Sequence, residues 1–522
     1  MLGRRTNQLS LADMDEWWRR IPPASRWAQI RSWSQAHWPD ERFAAWYPEG
    51  GRPSIPPSFM VTLLFLQLMF GWSDREAVEN AQFDDRAKFA LGLSRTPEIT
   101  CDHSTLCKFR AKALDRDVGR ALLRDTLTEA SAAGLLGDAG DVIDSFMVAG
   151  AAARQGTLLL IARAIRQVLA EAADAGCEAP TLRRLDYQTG HKPTIVWADA
   201  NARQALLQDL VADAETLGAW IATLESPAES LVQAGQLLAT VATQDVVRTD
   251  DGSAAIAQQV APDRVLSTVD PDMRHGRKSS SQKFDGYKAH VTVQQPTDDQ
   301  PRLITGMTVT PGNVPDGDQT VAALAERRLL TGAVPHQLMG DTAYGGAAVR
   351  IAVREAMPDV RIEAPVPPAS ARPGLFAKTD FVIDLASRTI TCPGEHTIDI
   401  PRRRASTAVN RPQIVAFPTA CCARCPVRSQ CVSGSGSRTI RIHPDEALLQ
   451  TERVRQADPA WQRRYRGRTI VEHVIRGVTR PRDRVSHYWG RKKTEMQLIW
   501  QAIGYHIGEL ARFRSPPGPR SA

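Results

Sequence analysis

Residues 139–150 read AGDVIDSFMVAG. A short apolar run without helical spacing, bounded by glycine and small residues, predicts a buried β-strand. That strand carries a carboxylate, Asp144, among Val142, Ile143 and Phe146. Beyond it, residues 151–262 are Ala- and Leu-rich and read as helical, so they interrupt the sheet as an insertion. Strands resume at 286–294 (GYKAHVTVQ) and 302–310 (RLITGMTVT), which alternate apolar and polar residues and flank a turn at 296–301. A helix at 316–330, a strand at 336–339, a helix at 346–355 and a strand at 360–364 complete the pattern. This order predicts an α/β fold with a mixed sheet whose first strands are antiparallel.

Upstream, residues 1–135 read as mostly helical. Trp17, Trp18, Trp27, Trp33, Trp38 and Trp46 fall among polar residues and predict a small aromatic core. Pro56-Pro57 opens an apolar helix over 58–71, and Ser73 with Glu76 forms a capping box for the next. A further helix near Ser104 carries Lys108, Arg110 and Lys112. Short helices ending in a basic one suit either a helix-turn-helix DNA reader or a plain bundle with a solvated basic face. The run at 60–72 contains Gln67 and is too short to span a bilayer, and no apolar leader follows Met1. The expectation is a cytoplasmic chain with no membrane partner.

The net charge of +7 conceals a division. Residues 401–522 carry 24 Lys and Arg against 8 Asp and Glu, a net +16, which leaves −9 for the first 400 residues. The basic residues comprise 55 Arg and 10 Lys, and Arg is the better fork for phosphate. One end of the chain is built to meet a polyanion.

Asp341 follows a predicted strand in LMGDTAY (338–344), as Asp144 sits within another. An ionised carboxylate in apolar surroundings is costly unless neutralised. A hard cation, Mg²⁺ or Mn²⁺, removes that cost, and a pair of such ions suits phosphodiester chemistry. For either Asp alone, a turn former or half a salt bridge is the commoner explanation. A third carboxylate, Glu472, lies in RRYRGRTIVEHVIRGVTRPRDR (463–484); on a helix it shares a face with Arg468 and Arg476. The alternative there is a surface salt-bridge ladder.

Cys392, Cys422, Cys425 and Cys431 fall within 40 residues of Pro-, Gly- and Arg-rich sequence, with Cys421 beside Cys422. A CxxC pair plus two more thiols suggests a tetrathiolate zinc knuckle holding a segment whose own core is weak. Free structural thiols are the alternative. Cys101, Cys107 and Cys177 read as core residues.

Taken together, these residues resemble a known family. Tyr465-x2-Arg468-x3-Glu472 resembles the Tyr-Arg-Glu-Lys signature of bacterial insertion-sequence DDE transposases. Asp144 and GDTAY (340–344) resemble their first and second Asp motifs, and DHSTLCKFR (102–110), FDGYKAHV (284–291) and TVTPGNVPD (308–316) agree in order. The four-Cys segment matches one subgroup. The resemblance implies a ribonuclease H-like core that gathers Asp144, Asp341 and Glu472 around two Mg²⁺ or Mn²⁺ ions. It also implies double-stranded DNA as partner (transposon ends and target), a homodimer at synapsis and a place at the nucleoid. Tyr465, Arg468, Arg476, Arg480, Lys108 and Arg110 become the expected DNA contacts. The implied layout is a helical DNA-binding domain at 1–135, a catalytic core at 136–365, a Cys-rich insertion at 366–445 and basic closing helices at 446–522. Three positions depart: Thr479 stands where the signature has Lys, Ser145-Phe146 follow the first Asp, and no basic residue adjoins Thr342. Two other readings are a catalytically decayed DNA-binding copy and a ribonuclease H-like nuclease that cuts without joining.

Overall fold

A computed structural model describes residues 1–3, 21–94, 101–278, 281–297, 300–369, 372–402, 411–479 and 484–514. Trp17, Trp18, Arg480 and the tip of the predicted 296–301 turn lie outside the described residues.

Among the described residues, six α-helices come first: α1 (Arg26–His37), α2 (Pro57–Phe70), α3 (Asp74–Phe83), α4 (Asp85–Leu91), α5 (His103–Asp115) and α6 (Val118–Ala132). The apolar α2 is buried over nearly its whole length. The Ser73–Glu76 capping box forms as its sequence predicts, satisfying two orphan N–H groups at the start of α3. Asp102 caps α5 by accepting from Ser104 N and Thr105 N.

The predicted first strand is β1 (Asp141–Ala149). The insertion that follows contains α7 (Thr157–Asp174), α8 (Ala200–Ala222), α9 (Glu229–Thr243) and a small hairpin of β2 (Val246–Arg248) and β3 (Ala254–Ile256). Its helices pack on one another around a core of their own, with Leu160, Ile165, Leu210, Leu217, Leu231 and Val241 fully buried. The chain enters and leaves it side by side, since Gln155 N donates to Leu266 O at 2.9 Å.

The sheet then resumes with β4 (Arg274–Arg277), β5 (Lys283–Gln294), β6 (Ile304–Pro311), α10 (Thr320–Thr331), β7 (Gln337–Met339), α11 (Ala347–Ala356) and β8 (Arg361–Glu363). Its order is β4-β5-β1-β7-β8, with β6 also on β5. β1 runs antiparallel to β5 and parallel to β7, so the expected mixed sheet with an antiparallel start is present. The expected helix at 316–330 begins as a 3-10 turn (Asp316–Gln319) before α10. β4 has no counterpart in the sequence reading; its RHGR sequence lacks strand alternation.

Further on come β9 (Val382–Asp384), β10 (Thr389–Thr391), β11 (Thr397–Asp399), β12 (Gln413–Ala416), α12 (Thr419–Ala423) and β13 (Thr439–Ile442). These build a three-stranded sheet and a hairpin. They enclose Phe381, Ile390, Val415, Phe417, Ile440 and Ile442, so this segment has a real apolar core, contrary to the expectation of a weak one. The chain ends with α13 (Glu446–Gln456), α14 (Pro459–Tyr465), α15 (Ile470–Val478) and α16 (Arg491–Arg514).

Strand alternation splits β1 between two cores. Val142, Phe146 and Val148 face α15 and α16, whereas Ile143 faces α10 and α11. The first core runs without a break from Ile30 through the sheet to Leu510. The N-terminal helices are therefore not a detached unit: Phe65 of α2 lies 6.2 Å from Trp500 of α16. Gly119 makes this closeness possible, because a Cβ there would stand 2.7 Å from the Trp500 indole nitrogen. Among the described residues no helix is long and apolar enough to cross a membrane.

Candidate active site

Three elements far apart in sequence deliver three carboxylates to one place. Asp144 projects from the middle of β1, the strand that joins the antiparallel and parallel halves of the sheet. Asp341 follows β7, the parallel neighbour of β1, and caps a 3-10 turn (Thr342–Tyr344) by accepting from Ala343 N at 2.8 Å. Glu472 lies in the first turn of α15, whose apolar face (Val471, Val474, Ile475, Val478) packs against the sheet. That strong two-sidedness turns the polar face of α15 toward the strand ends.

Arg468 ties the group together. One guanidinium nitrogen is 3.4 Å from Asp144 Oδ2 and the other donates to Glu472 Oε1 at 3.0 Å. The expected i, i+4 pairing of Arg468 and Glu472 thus exists, although Arg468 lies in a 3-10 turn (Arg466–Thr469) just before α15. Tyr465 donates from its hydroxyl to Gly340 O at 3.1 Å, linking the basic segment to the residue before Asp341. Its ring stacks on Trp461 at 4.7 Å.

The electrostatics record the convergence. Burial pushes the Asp144 carboxyl above its ordinary range; the Ser145 N–H and Arg468 oppose this, while Asp341 and Glu472 reinforce it. Burial also raises Tyr465, with Arg468 opposing and Asp341 and Asp144 adding to the rise. Tyr344, buried beneath the turn, is held well above its usual value by burial and by Asp316, Asp144 and Asp341.

Three oxygen donors with a surplus of negative charge suit a hard divalent cation in chemistry. As the side chains stand, no three acidic, His or Cys groups among the described residues are close enough to cage an ion. Between Asp144 and Glu472 the positive charge is instead the Arg468 guanidinium.

The other residues singled out by sequence lie elsewhere. Arg476 is exposed on α15 and Lys108 is exposed on α5. Arg110 is half-buried and held by Asp74 (3.0 Å from Nη2), by Gln67 and over the Tyr488 ring, so its charge is already engaged inside the molecule. Cys392, Cys421, Cys422, Cys425 and Cys431 line one cavity of about 20 Å³, room for a single water-sized body. Burial raises the Cys431 thiol, with Arg438 opposing and Cys422, Cys392 and Cys425 adding to the rise. Cys392 and Cys422 also pack against the apolar core of this segment. All eight cysteines are unbridged. Of the three assigned to the core, only Cys101 is buried; Cys107 is exposed on α5, and Cys177, just past the end of α7, is half-buried at the rim of the insertion core.

With this geometry in hand, the known families are informative. A family model described as a transposase domain (DUF772) matches residues 15–112, and one described as a transposase DDE domain matches 391–511. The two matches support an insertion-sequence DDE transposase. The DDE match contains the four cysteines, Tyr465, Arg468 and Glu472, and the N-terminal transposase match contains Lys108 and Arg110. No curated protein and no solved structure matches the chain.

Sequence reasoning missed one group beside the site. Arg484 sits 5.8 Å above the ring of Phe146, two residues along β1 from Asp144 and on the same face. Nothing in its local sequence distinguishes it from neighbouring arginines.

Proposed function

We propose that the chain binds the terminal inverted repeats of its own insertion sequence and catalyses metal-dependent cleavage and strand transfer on double-stranded DNA. The observation that carries this reading is the meeting of Asp144, Asp341 and Glu472 at the strand ends beside Arg468. In this reading the three carboxylates hold Mg²⁺ or Mn²⁺ on a ribonuclease H-like core. When bound, the cation activates the attacking oxygen and stabilises the departing one.

The chain's own residues supply position and charge. Arg468 neutralises Asp144 and Glu472 in the free protein and turns its fork to phosphate oxygens of the DNA. Tyr465, anchored on Gly340 O, fixes the basic segment relative to the Asp341 turn. In the first step water attacks phosphorus, the P–O3′ bond breaks, and the oxygen takes a proton to become a free 3′-hydroxyl. In the second that hydroxyl attacks a target phosphate, one P–O bond replacing another. Neither step needs a protein nucleophile. The exposed Arg463, Arg464 and Arg466, with Arg476, extend the phosphate-binding surface. Two ends must meet, so the working form is a homodimer at the nucleoid.

In the same reading the thiols of Cys392, Cys422, Cys425 and Cys431 would hold a structural Zn²⁺, a soft donor set suited to that ion. Purified protein is expected to carry one zinc per chain and to lose it in Cys431→Ala. Absence of stoichiometric zinc with four freely alkylatable thiols sinks this assignment.

A second reading has one observation in its favour. Thr479 is buried and bonded to Ile475 O at 2.7 Å, so it brings no charge where the resembled signature has Lys. A copy that binds ends without cutting fits that. The deciding assay uses duplexes containing the DNA that flanks the gene, with Mg²⁺ or Mn²⁺. Nicking is expected in the unmodified chain and is expected to fall at least 1,000-fold, on the scale of lost transition-state charge stabilisation, in Asp144→Ala, Asp341→Ala and Glu472→Ala, with binding retained. Binding without nicking by the unmodified chain selects the second reading.

A further inference from the structure

Residues 484–488, ahead of α16, form a strap across the end of β1. Ala149 N donates to Arg484 O and Ser486 N donates to Ala149 O, both at 2.8 Å, so Val485 bridges to β1 in parallel. The strap is fastened behind as well. Ser486 Oγ pairs with Thr494 Oγ1 at 2.8 Å, and His487 N donates to Gln497 Oε1 at 2.9 Å. Tyr488 packs under Arg110 of α5, 4.8 Å from ring centroid to guanidinium. Such a loop is held rigidly at both faces, yet Arg484 is exposed.

The guanidinium itself is also oriented. Its Nε donates to Thr479 Oγ1 at 3.2 Å, and its plane lies over Phe146. No carboxylate among the described residues forms an ion pair with it. Arg468, by contrast, is bound to Asp144 and Glu472. Residues two apart on a strand are separated by about 6.6 Å, close to the spacing of successive phosphates along a DNA strand. Arg468 is engaged by the first carboxylate, whereas Arg484 lies over Phe146, two residues further along the same face of the strand, and its side chain is exposed. An exposed, positioned arginine with spare donors is a phosphate-binding group. Thr479, which carries no charge, serves this arrangement by holding Nε.

We infer that Arg484 binds a backbone phosphate of the DNA strand crossing Asp144, beside Phe146. The inference rests on reading the carboxylate cluster as a phosphodiester-processing site, and it names a positioning residue for that strand.

Two measurements test it, both with the full chain and duplexes cut from the DNA flanking the gene, in metal-free buffer. The first follows affinity against NaCl concentration. Each phosphate contact contributes about 0.9 to the log–log slope, so Arg484→Gln is expected to flatten the slope by about that amount while Arg484→Lys, which keeps the charge, leaves it unchanged. A merely structural Arg484 predicts equal slopes in all three proteins. The second uses the unmodified chain, so it does not depend on a variant folding. Phenylglyoxal labelling read by peptide mass is expected to modify Arg484 in free protein and to spare it in the complex, while Arg163, exposed on α7, is modified in both. Equal labelling of Arg484 with and without DNA, or an unchanged slope in Arg484→Gln, overturns the inference alone. Absence of any DNA binding by the unmodified chain overturns it together with the proposed function.

Discussion

At the residue scale, the centre of the molecule is a balance of charge. Asp144 is partly buried beside two other acids, and Arg468 is the cation that offsets them. Removing that cation leaves a half-buried carboxylate without its partner, which costs about 1–2 kcal/mol after allowing for the 53% exposure of the Glu472 side chain. Arg468→Ala is therefore expected to lower the urea midpoint in EDTA and to regain more of it on adding Mn²⁺ than the unmodified chain does. Equal Mn²⁺ responses in the two proteins contradict this account. The sequence signalled Arg468 through its spacing to Glu472, because i, i+4 geometry is local. It gave no sign that Asp144 lies on the far side of the same guanidinium, since 324 residues separate that pair.

At the element scale, α16 is the bolt of the fold. Leu498, Trp500 and Ile503 are fully buried against α2, α6 and β6. Gly119→Ala is informative because two effects oppose. Alanine gains about 1 kcal/mol in helix propensity, but its Cβ falls 2.7 Å from a fully buried indole, and overpacking costs about 1–3 kcal/mol. The net expectation is a lower denaturation midpoint; a higher one shows that α16 can shift away freely. The same seam holds His506, fully buried, with Ile304 N donating to its Nε2 at 2.8 Å and Nδ1 2.7 Å from Thr126 Oγ1. The ring must be neutral to accept from Ile304, and burial pushes its titration down to about 3. The unfolded chain takes up that proton near the ordinary histidine value. Stability is then full above pH 6.5 and declines as the pH falls from 6.5 toward 3, by about 1.4 kcal/mol per unit from this group. His506→Gln keeps an acceptor and is expected to flatten that decline in pH-dependent urea unfolding. Burial of His290, which lowers it to about 4, contributes in the same direction.

At the scale of the whole molecule, the insertion and the body behave as separate packing units. Residues 157–263 have their own core, and their ends are hydrogen-bonded neighbours. Replacing them with a short Gly-Ser linker is expected to leave the rest folded, with a melting temperature within a few degrees. Deleting 491–522 is expected to abolish cooperative melting, because the main core loses α16. Survival of a cooperative transition in that truncation refutes the assignment of one continuous core. The −9 body and +16 end belong to this scale too: the basic end supplies α14, α15 and α16, the elements that close over the carboxylate-bearing sheet.

Much of the architecture was legible because it rests on short-range physics. A bounded apolar run predicted β1, alternation predicted β5 and β6, the Ser73–Glu76 pair predicted a helix start, and β7, α11 and β8 were predicted within a residue or two. The candidate site was legible as three carboxylates and two basic-segment residues through motif spacing. Less legible were β4, which lacks alternation, the apolar core of the Cys-rich segment, spread over five short strands and the turns between them, and the fusion of the N-terminal helices with the sheet through Phe65, Gly119 and Trp500.

The amino-acid sequence alone determined which residues are apolar, where turns and caps fall, and how charge divides along the chain. Those are properties of neighbours, encoded within about one or two helical turns. Only tertiary structure decided that Arg110 is committed to Asp74, that cysteines 30 and more residues apart line one cavity, and that Arg484 stands beside Phe146. Each of these depends on which faces pack against one another across long stretches of chain. That choice is made by burial of the whole core, not by any single run of residues.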